Sequence, residues 1–183
     1  MHTVRERGTS LIEVLVTVVI VAFGLMGAAG LQSRMQLSEV EAYQRTQALI
    51  LLSDMANRIT VNRSAAADYV TGALGAGMVC PTTMGTRAEI DLGQWCNALQ
   101  GAAELTVGGD SAGAMLGGRG CVEALPENEF MVTVAWQGMT PVSPPAFSVN
   151  CGFGQYDGAA GSSCSNDRCR RVVTTVVRIA TLD

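Results

Sequence analysis

The chain has 183 residues, a formal net charge of −4 and six cysteines. A mildly acidic balance without a basic stripe excludes nucleic-acid recognition by bulk charge. The length accommodates one long helix and one small domain, hardly two.

Met1 to Gly8 is a short basic leader carrying Arg5, Glu6 and Arg7; without it the net charge becomes −5. Val14 to Leu31 follows, eighteen residues without a charge. As a helix this run spans about 27 Å, close to the hydrocarbon thickness of a bilayer. A helix satisfies its backbone groups within the segment, which lipid demands. Arg5 and Arg7 in front of it keep the N-terminus cytoplasmic and send the remainder across. Glu13 stands at the lip of the span, where a carboxylate is costly unless it lies among headgroups or finds a partner. Three readings compete: a signal peptide cut near Ala28-Ala29-Gly30, a plain anchor, and a retained helix whose carboxylate is paired. Gly24, Gly27 and Gly30 read either as local flexibility on leaving the membrane or as tolerated residues of a simple anchor.

Residues 32–63 contain neither Pro nor Gly. Met35, Val40, Tyr43, Leu49, Leu52, Met55 and Ile59 lie near spacings of three and four, an amphipathic helical pattern. One helix is therefore expected from about Thr9 to about Ala66, its second half needing a sheet to cover the apolar stripe. A coiled coil is disfavoured by a poor heptad. Glycines punctuate residues 72–120, which read as an irregular connector on the sheet edge. Within it, Asp91 to Leu99 suits a short helix capped by Asp91. The tract Gly108 to Gly120 lacks the spacing of a phosphate loop.

Cys121 to Leu125 reads as a short strand and Pro126 to Glu129 as a turn. Phe130 to Gln137 then alternates, with Phe130, Val132, Val134 and Trp136 on one face. Trp136 reads as core rather than as a binding aromatic. Residues 140–169 form a loop broken by Pro141, Pro144 and Pro145. Arg171 to Ala180 is rich in β-branched residues and closes the sheet. Arg170, Arg171 and Arg178 read as solvated strand flanks, with an exposed basic patch as the alternative.

Cys80, Cys96, Cys121, Cys151, Cys164 and Cys169 all lie beyond the apolar run. An even count there fits disulfides in an oxidising compartment such as the bacterial periplasm. Zinc is disfavoured, because no C-x2-C pair exists and the single histidine is His2. Cys80 with Cys96 is the favoured bridge, since it closes a local loop; the other four stay unassigned. With no histidine beyond the leader, neither a Ser/His/Asp nor a Cys/His arrangement can form. No enzyme, cofactor or metal is expected, although paired carboxylates stay open.

Gly8-Thr9-Ser10-Leu11-Ile12-Glu13-Val14-Leu15 resembles the processing motif of type IV prepilins: a short basic leader, a glycine, a glutamate at the fifth position after it, and an uncharged run. Thr9 departs from the Phe usual at the first mature position. The resemblance implies cleavage between Gly8 and Thr9 by a prepilin peptidase and N-methylation of Thr9. It also implies retention of the helix, and pairing of Glu13 with the N-terminal amine of a neighbouring subunit. The fold it implies is α+β and pilin-like, with a long N-terminal helix, membrane-embedded in its first half, on a small antiparallel sheet with disulfide-stapled loops. Residues 1–8 would be leader, 9–31 the transmembrane and assembly half of the helix, and 32–183 the periplasmic head. The opening motif, the strand Val132-Thr133-Val134-Ala135-Trp136-Gln137-Gly138 and the Val-rich closing strand further resemble the PilV-like minor pilins. That implies a low-abundance subunit that primes pilus assembly at or near the filament tip. Its partners would be other minor and major pilins, the inner membrane, the prepilin peptidase and the assembly platform. It would reside in the bacterial inner membrane, N-terminus cytoplasmic and head periplasmic, and then in the filament. A minor pseudopilin of a type II secretion system is the close alternative. A membrane-anchored periplasmic binding module or enzyme is the alternative of a different class.

Overall fold

The structure, a computed structural model, describes residues 10–101 and 115–180. The chain divides into two compact units, Met1–Val40 and Glu41–Asp183. Helix α1 covers Leu11–Val61, and a 3-10 helix covers Arg63–Tyr69. They are followed by strand β1 (Thr71–Gly75), helix α2 (Arg87–Leu99), and strands β2 (Arg119–Leu125), β3 (Glu129–Gln137) and β4 (Arg170–Arg178). The fold is α+β: a long, apolar N-terminal helix, a four-stranded antiparallel sheet and three disulfides.

In the first unit, every described residue from Ser10 to Val40 is exposed. Val14 to Leu31 lies wholly within this part of α1. An eighteen-residue window of α1 has a mean hydropathy of 2.5 with none of the described residues covering it, enough length and apolarity to cross a membrane.

In the second unit the sheet runs in chain order, β1-β2-β3-β4, with β3 paired along its whole length to β4 and from Glu129 to Ala135 to β2. The turn Pro126–Glu129 joins β2 to β3, and both its central residues, Glu127 and Asn128, hold positive φ (63° and 56°). That backbone matches the twist of a hairpin. Alternation along β3 divides the sheet into two faces. Phe130, Val132, Val134 and Trp136 enter one core with Ala48, Leu52, Met55 and Ile59 of α1 and with Trp95 and Leu99 of α2. Ala135, Cys121, Cys151 and Tyr156 form a second core on the opposite face. There the Cys121–Cys151 disulfide and Tyr156, whose hydroxyl donates to the Gly117 carbonyl at 2.9 Å, hold the 140–169 loop against the strands. Burial pushes the Tyr156 hydroxyl well above its ordinary pKa.

The stripe of α1 that meets the sheet is Gln44, Ala48, Leu52, Met55 and Ile59. Met35, Val40, Tyr43 and Leu49, expected on that stripe, are exposed instead. Leu49 follows the buried Ala48 by one position, about 100° around the helix, which turns it away from the centre of the stripe. The helix also ends at Val61 rather than near Ala66. Tertiary packing sets that end: the 3-10 segment turns Ala66 and Tyr69 into the core.

Residues 72–120 are more ordered than a glycine count suggests. β1 opens them, and α2 begins at Arg87, four positions before the expected start. Its cap is Thr86 and not Asp91: the Thr86 hydroxyl accepts from Glu89 N at 3.2 Å while Glu89 Oε2 accepts from Thr86 N at 3.1 Å, a capping box. The Cys80–Cys96 disulfide ties the preceding loop to this helix. Trp95 donates its indole N–H to the Leu51 carbonyl of α1 (2.9 Å) and lies flat on β2 at Gly120, where any Cβ would overlap the ring. The expected connector at 102–114 lies outside the described residues.

Asp91, freed from capping, is buried at the junction of three elements. It accepts from Arg58 of α1 (2.6 Å), from the Tyr69 hydroxyl (2.6 Å) and from Arg87 one turn before it (3.1 Å). Arg58 also contacts Asp54 at 2.9 Å. Burial by itself pushes the Asp91 carboxyl up, but the Tyr69, Arg58 and Arg87 hydrogen bonds outweigh it and hold it below its ordinary 3.8. Burial together with the Asp91 bond pushes the Tyr69 hydroxyl up.

Asp91→Asn is expected to cost about 2–4 kcal/mol at pH 7. This is less than a fully enclosed pair because Arg58 and Arg87 reach solvent. Because the folded-state pKa is the lower one, the stabilisation is present above 3.8 and is lost as pH falls through the folded value. Melting curves of the detergent-solubilised chain should show a wild-type advantage that is constant from pH 7 to about 4 and closes below. An advantage independent of pH would assign the loss to packing.

Candidate functional site

Two places in the fold bear on function: the start of α1, which carries the motif that the prepilin resemblance ties to assembly, and the stretch from Glu41 onward, where α1 bonds to the rest of the second unit.

At the start, Ser10 precedes the first helical residue. Glu13 N donates to the Ser10 hydroxyl at 3.3 Å and to the Ser10 carbonyl at 3.0 Å, so Ser10 acts as the N-cap. Ser10-Leu11-Ile12-Glu13 has the spacing of a capping box. Glu13 is also the acidic residue of the first turn, where the positive end of the helix dipole favours a carboxylate. Glu13 is exposed. Its position therefore has a local reason besides pairing with another chain, and the Ser-x-x-Glu spacing was the signal that could have revealed it. Thr17 closes on the Val14 carbonyl at 2.8 Å, which satisfies its hydroxyl inside the apolar run. A Cβ at Gly24, Gly27 or Gly30 would meet none of the described residues within 4 Å. Gly8 and Thr9, the expected cleavage and methylation positions, lie outside the described residues.

At the head, Glu41 is the first α1 residue held by the rest of the fold. Its Oε1 accepts from Met139 N (3.0 Å), the Thr140 hydroxyl (3.3 Å) and Arg171 (3.4 Å), and Arg171 also donates to the Thr140 carbonyl at 2.7 Å. Gly138 makes room for this clasp, since a Cβ there would strike the Arg171 guanidinium at 2.5 Å. Arg171 is thus a link between α1 and β4, not a solvated flank.

Arg170 departs further from expectation. It is 1% exposed, paired with Asp167 at 3.1 Å, and donates to the carbonyls of Val149 (2.7 Å) and Cys151 (3.1 Å). Its charge organises the 140–169 loop, and so no basic patch forms. Of the three, Arg178 alone is exposed, beside Glu129 at 2.6 Å. All six cysteines are bridged: Cys80–Cys96, Cys121–Cys151 and Cys164–Cys169. Among the described residues no group of His, Cys, Asp and Glu is placed to hold a metal ion. Every cation in these ion pairs is an arginine, and the chain contains no lysine.

Residues 30–102 match a family model described as Tt1218-like, type IV pilin Tt1218. The match supports a type IV pilin. It takes in 73 of 183 residues, from the end of the apolar run through α2, so it is independent of the opening motif at Gly8 to Leu15. No curated protein and no solved structure matches the chain. The uncovered apolar part of α1 fits a membrane-anchored pilin that assembles with other pilins.

Glu41→Ala should leave the head folded, with a loss of about 1 kcal/mol or less because the clasp is partly exposed. Hydrogen exchange should accelerate at the Met139 amide and not at amides of β2. Unchanged exchange at Met139 would show that the clasp does not close in solution.

Proposed function

We propose that this chain is a minor pilin of a type IV pilus, similar to the PilV-like subunits, which helps to prime pilus assembly and presents its head at or near the filament tip. The observation that carries this reading is one helix with two halves of different chemistry. The first is apolar, uncovered and led by Glu13; the second is stitched into a disulfide-bonded head. Uncovered apolar surface of this extent needs lipid or other helices. An assembly subunit uses lipid first and helices later, whereas a simple anchor uses only lipid.

In this mechanism a prepilin peptidase removes residues 1–8 and the amine of Thr9 is methylated. The chain then waits in the inner membrane with its N-terminus cytoplasmic and its head in the periplasm, until the assembly platform moves it into the filament. Glu13 supplies the selective step. A carboxylate moving from the membrane lip into a packed helix bundle loses water, so the bundle favours subunits that bring a cation to it. The N-terminal amine of a neighbouring subunit is that cation. The chain acts by packing and presentation, not as an enzyme. A minor pseudopilin would share the opening motif; co-isolation with pilus rather than secretion-system subunits separates the two.

Mass spectrometry of the N-terminal peptide from membrane-extracted protein is expected to find Thr9 first and one methyl group added. An intact Met1 terminus would leave only an anchored domain. Gly8→Ala is expected to abolish the mature species, and mature protein at wild-type level would overturn the leader assignment.

Glu13→Gln and Glu13→Ala should both be processed, and both should be depleted from filaments at least tenfold, read by quantitative blotting of sheared pili. The comparison separates two roles, since Gln keeps the capping spacing but loses the charge. Incorporation restored by Gln and not by Ala would assign Glu13 to helix capping.

A further inference from the structure

The two edges of the sheet are built differently. β1 is blunted by the usual devices of an edge strand. It has five residues, two of them glycine, and its register slips between Thr71 and Leu74. The Gly75 carbonyl is taken by Met78 N (3.0 Å) and by the Gln100 carboxamide (2.9 Å). β4 has none of these devices. Its nine residues pair with β3 without a shift and include no Gly, Pro or Lys.

The register fixes which groups of β4 are spare. Just beyond the two ends of the ladder, Gly138 N donates to the Cys169 carbonyl (2.7 Å) and Ile179 N to the Asn128 carbonyl (3.1 Å). Hydrogen-bonded and non-hydrogen-bonded pairs alternate along an antiparallel ladder. Arg171, Val173, Thr175 and Val177 are therefore the residues that bond to β3. The N–H and C=O groups of Val172, Thr174, Val176 and Arg178 point the other way, and none of the described residues bonds to them. The row ends at Arg170, whose N–H is taken by the Asp167 carbonyl (3.0 Å). Val173 and Val177 lie on the α1 face, against the first core. Thr174, Val176 and Arg178 lie on the opposite face and are exposed. Arg178, with its side chain 80% exposed, is the one exposed charge of the strand.

We propose that β4 is the docking edge for an extended segment of another protein, which adds antiparallel as a fifth strand and sets a carboxylate opposite Arg178. The row of spare backbone groups supplies affinity, and alternating side chains supply choice. Residues facing Val173 and Val177 extend the first core and are apolar; those facing Val172, Thr174 and Val176 meet a β-branched surface. A carboxylate facing Arg178 stands about 5 Å from it and about 10 Å from Glu129, one strand further in, so attraction exceeds repulsion. A second copy of the chain does not fit this edge. Antiparallel pairing of two β4 strands reverses one head against the other. The Glu41 ends of their helices, which lead back to the apolar run, then lie on opposite sides, and two chains anchored by that run in one membrane cannot pair so. β1 of a second copy is blunted. The proposal concerns the head alone and does not rest on the assignment of the chain to a pilus.

The test is hydrogen exchange of the full chain in detergent micelles, read amide by amide. The probe is the capped peptide Glu-Val-Thr-Val-Thr-Val-Thr. Its valine amides are N-methylated, which blocks its far edge and stops it stacking on itself. In the free chain the amides of Val173, Thr175 and Val177 should be slow and those of Val172, Thr174, Val176 and Arg178 fast. Saturating peptide should slow the second set at least tenfold and leave the first unchanged. The same peptide with Lys in place of Glu should bind about threefold or more weakly, the scale of one cross-strand charge pair. Thr174→Pro should abolish binding with the first set still slow, because the Thr174 N–H takes no part in the β3 ladder. Val176→Lys, which charges the edge without touching the backbone, should weaken binding about fivefold or more and serves if the proline variant does not fold. Fast exchange of the second set with peptide present, slow exchange of it before peptide is added, equal binding of the Lys peptide, or full binding by a folded variant would overturn the proposal.

Discussion

The buried Asp91 carboxylate is the interaction on which the head depends. Three donors from three elements converge on it, and each element would be placed differently without it. Arg58 fixes the rotation of α1 about its own axis, and with it the stripe from Gln44 to Ile59 that faces the sheet. Tyr69 draws the chain out of the helix after Val61 and into the 3-10 turn that leads to β1. Arg87 binds the first turn of α2 to the same carboxylate. The apolar contacts are individually worth about 1.5–3 kcal/mol per fully buried side chain and hold the layers together. They are nondirectional, and the carboxylate supplies direction.

The second face of the sheet is organised by the same device with the charges exchanged. There a buried cation, Arg170, gathers loop carbonyls and the Asp167 carboxylate, and two disulfides fix the chain around it. A small head cannot bury much apolar surface, and cross-links compensate by restricting the unfolded chain. Phe147 and Phe153 of that loop nevertheless stay exposed to water.

Elements with a strong period were legible in the sequence. The apolar run, the amphipathic second half of α1, the alternating β3 and the β-branched β4 carry signals that packing reinforces. Trp136 could be placed in the core from alternation alone, and Cys80 with Cys96 could be favoured because its loop is local. The other two bridges could not be assigned, since chain separation does not decide among the four remaining cysteines. Asp91 and Arg171 were misplaced for one shared reason. A charged residue was read by its usual habit, as a cap or a solvated flank, whereas its partners lay far away in sequence. Arg58 is 33 residues from Asp91, and Arg171 is 130 from Glu41. β1 was missed because Thr71–Gly75 has two glycines in five residues and is a strand only by virtue of β2 beside it. The opening motif and the family match come from stretches that do not overlap, so neither borrows from the other.

Every positive side chain in the sequence is a guanidinium. Arginine forks suit the buried and bidentate roles that Arg58 and Arg170 fill. One result is that no side chain supplies an amine, so the one amine of the chain is its N-terminal nitrogen, primary if free and secondary if it carries the proposed methyl group. In the filament proposed above, the N-terminal nitrogen is the sole ammonium that a copy of the chain can bring to a buried carboxylate. Amine chemistry on this protein is accordingly confined to one atom, so a reagent that labels amines reads the state of that terminus and nothing else.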